Sequence, residues 1–192
     1  MAFAGLMAAC SETDPEAASL NATPPAPEGQ VEVAAPTHPG FSHVAGEDLF
    51  GYYIPSQEVR IGELRLDHLH IGGAAEFAAW EGGDRMETYA PVMLEFSDLS
   101  SPVETNELGG EAHSVRIRVL PTSYKLGNGE FRFAGEAPGV GQVRLDGQLD
   151  LEALRSAQGS AVGGEPPVIL RTAGQIGPER LRTLSFTWFG GD

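Results

Sequence analysis

The feature that most constrains this chain is a two-residue alternation of apolar and polar side chains, repeated through its second half. Val115-Arg116-Ile117-Arg118-Val119 alternates without a break, as do Phe131-Arg132-Phe133 and Leu184-Ser185-Phe186-Thr187-Trp188, and residues 143–149 follow the same rule. Successive side chains leave a strand on opposite sides, so each run has one apolar and one polar face. That pattern belongs to sheets with one face on a core and the other in water. Residues 49–54, 89–96 and 168–172 read as further strands, and so does 59–71. In the last of these the apolar phase slips near Gly62-Glu63 and again near Asp67, which predicts a turn or bulge at each place. Residues 124–131 read as a hairpin, with Gly127-Asn128-Gly129 supplying positive φ at its turn. Two short helices are expected: 74–80, with Phe77 and Trp80 on one face, and 151–156, capped by Asp150 with Leu151 and Leu154 inward. The high glycine and proline content, 25 and 14 of 192 residues, fits many turns and few long helices. About eight short strands separated by turns predict a mainly β fold, a β-sandwich or open β-barrel.

The first third is a different kind of chain. Its first basic residue is Arg60, and the acids before it give residues 1–59 a share of −8 in a net charge of −15. Residues 11–46 are rich in Pro, Ala, Glu, Ser and Thr, too polar to offset the entropy of ordering them. They are expected to be a disordered acidic linker, extended by Pro24-Pro25-Ala26-Pro27 and by like-charge repulsion. Residues 47–192 would then be the folded β-sandwich-like domain. The acidic balance excludes nucleic acid as a main partner, since phosphate neutralisation needs clustered Lys and Arg.

Residues 2–9 are small or apolar and end in Leu6-Met7-Ala8-Ala9-Cys10, which contains the only cysteine. This segment resembles the lipobox of bacterial lipoproteins. The resemblance implies that residues 1–10 are a shortened lipoprotein-type signal, that Cys10 carries lipid, and that the partner is a membrane. The implied place is the cell envelope, anchored to the outer membrane and facing the periplasm. A full signal needs a basic start, so an upstream start is expected. The open alternative is a cytoplasmic β-domain whose acidic tail contains an incidental thiol.

Asp67-His68-Leu69-His70 is the most chemical stretch. On a strand His68 and His70 share a face, where two imidazoles can grip one metal ion. With Gly62, Glu76 and Gly83 the stretch is similar to the first motif of the cupins. That resemblance implies a double-stranded β-helix with His68, His70 and Glu76 as metal ligands, and a metal-dependent enzyme. The second cupin motif is missing, and a plain His pair backed by Leu69 and Ile71 is the alternative. Arg116, Arg118, Arg132 and Arg144 fall on polar strand faces, either as a basic patch or as partners of Glu130 and Asp146. Phe50, Tyr52, Tyr53, Trp80, Tyr89, Phe186, Trp188 and Phe189 either line a cavity or build the core. No nucleophile elbow, phosphate loop or dinucleotide fingerprint is present in the sequence. The leading expectation is a lipid-anchored protein with a non-catalytic β-domain that binds a partner or small ligand, without cofactor. The second is the cupin-like metal enzyme.

Overall fold

The computed structural model describes residues 40–105, 109–159 and 165–191. The segment 1–10 with Cys10, and the linker up to residue 39, lie outside the described residues.

The protein is mainly β, as the alternation demands. In chain order its strands are β1 (Phe41–His43), β2 (Gly51–Pro55), β3 (Arg60–Ile61), β4 (Leu64–Ile71), β5 (Val92–Asp98), β6 (Val103–Thr105), β7 (Glu111–His113), β8 (Arg116–Val119), β9 (Pro121–Gly127), β10 (Glu130–Ala137), β11 (Gly141–Leu149), β12 (Val168–Ile176) and β13 (Glu179–Phe189). Helix α1 (Ala74–Glu81) follows β4, and α2 (Leu151–Gly159) follows β11. Among the described residues, one sheet has the order β1-β9-β10-β11-β12-β13-β2-β4-β5-β8, with β3 pairing β4, and a separate ribbon joins β6 to β7.

That order is a meander. Strands β9 to β13 run as successive antiparallel hairpins, β13 returns to β2, and β2, β4 and β5 pair in turn. Only Leu120 separates β8 from β9, so the two form one long strand that changes partners. Its first half pairs with β5 and its second half with β10. The sheet thus curls into a barrel whose ladder is interrupted at this one crossing, the open-barrel alternative of the expectation. A jelly roll of the cupin kind needs Greek-key crossings between two sheets. The meander has none, so the fold implied by the cupin resemblance is overturned.

The inward residues meet in one packed cluster. Tyr53, Leu69, Ile71, Leu94, Phe96, Phe131, Leu145, Ile169, Leu170 and Phe186 are fully buried there. The two phase slips in 59–71 appear as expected: a turn at Gly62-Glu63 separates β3 from β4, and the β4–β5 register shifts between Leu66 and His68. The 124–131 hairpin also forms, with positive φ at Gly127, Asn128 and Gly129. Asp150 caps α2, its carboxylate accepting from the Ala153 amide at 2.9 Å, and Leu154 is buried while Leu151 packs against the core.

One boundary moves. Phe41–His43, assigned from composition to the linker, form β1, which pairs in parallel with β9. Phe41 is buried against Trp80 and Tyr124, with ring centroids 6.1 and 5.1 Å apart. The aromatic contact outweighs the polar composition around it, so the folded part begins by Gly40 rather than at residue 47. Helix α1, which carries Trp80, packs on this same side of β1: its Phe77 stacks on His43 at 4.2 Å. Glu81 is buried beneath them and accepts hydrogen bonds from His43 Nδ1 at 2.9 Å and Tyr124 OH at 3.0 Å.

Candidate functional site on the outer face

Pleating sends Leu64, Leu66, Leu69 and Ile71 of β4 into the barrel and His68 and His70 outward. The shift at Asp67 is what reconciles the two halves of the strand, keeping both histidines on the polar side. Cross-strand register then builds two rows over that outer face. Phe189 of β13 stands opposite Tyr52 of β2, Tyr52 opposite His70, and His70 opposite Met93 of β5. In the adjacent row His68 faces Glu95 of β5, and Glu95 faces Arg118 of β8.

The rows are held by specific contacts. The Tyr52 ring lies 5.0 Å from the His68 ring and 5.2 Å from the His70 ring. His70 Nε2 is 2.8 Å from Tyr89 OH, and Tyr89 in turn donates to Glu76 Oε1. Glu76 is fixed by its place in the first turn of α1, where its other oxygen accepts from the Gly73 amide at 2.6 Å. Because the Tyr89 proton is committed to Glu76, its oxygen must accept from His70. That sets the His70 tautomer, with the proton on Nε2 and the lone pair on Nδ1. His70 is only 4% exposed, and Nδ1 has no hydrogen-bond partner.

Glu95 is 3% exposed and forks between two guanidinium groups, accepting from Arg116 at 2.7 Å and Arg118 at 2.8 Å. Burial works to raise the Glu95 pKa, but the two arginine hydrogen bonds outweigh it and hold the carboxyl below its ordinary value. Burial pushes both imidazoles below theirs, against the opposing pull of Glu95 and Asp67 on His68 and of Glu76 on His70. The Tyr89 phenol is raised by burial and by its hydrogen bond to Glu76. Burial therefore favours the neutral form of both imidazoles.

The candidate metal set is divided by this arrangement. His68 and His70 come together on one face, but Glu76 stands behind His70, one hydroxyl away. Among the described residues no three His, Cys, Asp or Glu side chains gather as a ligand group. The cupin resemblance offered Glu76 as a ligand and could not show that Tyr89 intervenes between it and His70. The arginines resolve mostly as partners of acids: Arg116 and Arg118 serve Glu95, and Arg132 lies near Glu130 and Asp146 at 2.7 and 3.7 Å. Arg132 and Arg144 also border an open groove of about 750 Å³ over the outer side of β9–β11.

The aromatic residues divide by face. Tyr53, Trp80 and Phe186 belong to the core. Phe50 and Phe189 are 41% and 49% exposed; Phe50 and half-buried Tyr52 and Tyr89 border the histidines, and Phe189 lies beyond Tyr52 with ring centroids 6.5 Å apart. Phe50 stands edge-on to His70 with centroids 6.1 Å apart. Met93 was missed by sequence reading. It looks like one more apolar strand residue, and only the register opposite His70 places it outside the core cluster. Comparison with protein-family models, curated proteins and solved structures returns no match.

Proposed function

We propose that the protein is a lipid-anchored envelope protein whose barrel is a non-catalytic binding module, using the outer face of β13, β2 and β4. The reading is carried by the placement of Phe50, Tyr52 and Phe189. Large apolar side chains usually go inward, and this protein has a filled interior to receive them. Exposed aromatics grouped around polar groups on a rigid sheet are the composition of a recognition surface. The strands fix their spacing, so little ordering entropy opposes binding there. The acid–base groups nearby are tied to one another, Glu95 to two arginines and Glu76 to Tyr89, an arrangement that favours binding over turnover. The anchor reading stands on the resemblance around Cys10.

Site-specific photo-crosslinking in the producing cell tests the binding face. A crosslinking residue at Phe50 or Phe189 should give a discrete adduct, and one at Arg171, exposed on β12, should give none. Identical patterns from all three positions, or no adduct from either phenylalanine, would refute the assignment.

A further inference from the structure

We propose that His68, His70 and Met93 form a copper-binding site on the outer face of β4 and β5. The inference rests on reading this face as the binding face, and not on the anchor at Cys10.

Three observations carry it. The first is the lone pair of His70 Nδ1. Among the described residues only two buried side-chain nitrogen or oxygen atoms lack a hydrogen-bond partner, this one and Trp80 Nε1. An unpaired buried acceptor costs free energy, and native proteins supply it with a partner. Trp80 Nε1 is a donor and cannot be a ligand; His70 Nδ1 is an acceptor and can.

The second is what lies behind the ring. A histidine that binds metal through one nitrogen usually donates its other N–H to a carboxylate, carbonyl or water, which fixes the tautomer and raises its basicity. His70 donates to Tyr89, and Tyr89 to Glu76. Glu76, which the cupin resemblance implied as a third ligand, thus occupies the position of an outer partner.

The third is the set of neighbours. His68 lies two residues away on the same face, and Met93 is the cross-strand partner of His70. Directly opposed residues on one face have Cβ atoms about 4.5–5.5 Å apart, within reach of a shared ion. Two imidazoles and a thioether suit copper, the thioether selecting Cu(I) over Zn2+ and other hard dications. Met93 is 4% exposed and sits beside His70 on the outer side of β5, away from the main core cluster. Glu95 is not needed as a ligand, since Arg116 and Arg118 already neutralise it. Phe50, an exposed ring edge-on to His70, stands beside the site.

The test is Cu(I) competition against a coloured Cu(I) chelator, using as parent the full chain with Cys10→Ser, which removes the competing thiol, and variants made in that background, each checked for native circular dichroism. The parent should take one Cu(I) from the chelator. Met93→Leu, which conserves volume and tests the sulfur alone, should weaken Cu(I) binding while leaving weak Zn2+ binding unchanged. His68→Gln should abolish competition. Tyr89→Phe should weaken it by about 10–100-fold, the usual cost of losing an outer partner. His113→Gln, on β7, should match the parent. If His70→Gln fails to fold, Met93→Leu and His68→Gln decide the question. No competition by the parent, or competition that survives His68→Gln and Met93→Leu, overturns the site. Crosslinks from Phe189 persisting in either case would confine the failure to copper.

Discussion

At the scale of single residues, the outer face is governed by which buried groups have partners. Glu95 has two and needs at least one. The guanidinium groups of Arg116 and Arg118 remain about half exposed, so each can return to water when released. The carboxylate cannot, because it is buried. Arg116→Ala or Arg118→Ala alone should therefore cost about 1 kcal/mol, in the range of exposed ion pairs. The double variant should cost about 3 kcal/mol, more than the sum, because it strands a buried charge. Urea denaturation of the three variants checks this; simple additivity would show that Glu95 reaches water. Much of this level was hidden in the sequence. Alternation showed that His68, His70, Arg116 and Arg118 face outward. It could not show that Glu95, in a run of mostly apolar residues, faces the same way, nor that Tyr89 intervenes between Glu76 and His70. Both depend on register between segments far apart in the chain.

At the scale of elements, the barrel depends on the crossing at Leu120 and on β1. Gly135 of β10 lies where the long β8–β9 strand changes partners, and a Cβ there would sit 2.5 Å from the Leu120 carbonyl oxygen and 2.9 Å from Val119 Cγ1. The first of these is backbone and cannot rotate away. Gly135→Ala should lower stability by roughly 2 kcal/mol or more, within the range of overpacking, with loss of amide protection along β8 and β9. Unchanged stability would mean that the seam is slack. Strand β1 is the counterpart. Phe41→Ala removes the ring that Trp80, Tyr124 and the Arg85 guanidinium pack against, the last 4.6 Å from its centroid. A loss of about 3 kcal/mol is expected. A chain beginning at Gly40 should melt at the same temperature as the full chain, and one beginning at Glu47 well below it. Equal melting of all three would return residues 40–46 to the linker. The elements with a local signal were legible: the Gly127-Asn128-Gly129 hairpin, the Asp150 cap and the slip at Asp67. Strand β1 was not, because three residues in a Pro-rich, acidic setting carry no periodicity, and its pairing with β9 lies far along the chain.

At the scale of the whole molecule, the curled sheet explains why binding is assigned to the outside. Its inner face is packed with aromatic and aliphatic side chains, so the proposed binding falls to the residues that pleating turns outward. Those residues are an aromatic rim, two imidazoles and a set of paired charges. Alternation fixed the fold class, because a period of two permits little but sheet. It left sandwich and barrel open, since both bury one face of every strand. Only the return of β13 to β2 and the partner change at Leu120 decide between them. The proposed tether belongs to this scale also; it is the part of the proposal that would place the protein in the envelope rather than in the cytoplasm. Intact mass spectrometry of the protein extracted from membranes, with and without Cys10→Ser, tests it most directly. The account predicts a wild-type mass raised by acyl groups, with Cys10→Ser unacylated and released to the soluble fraction. Unmodified, soluble protein in both cases would contradict it.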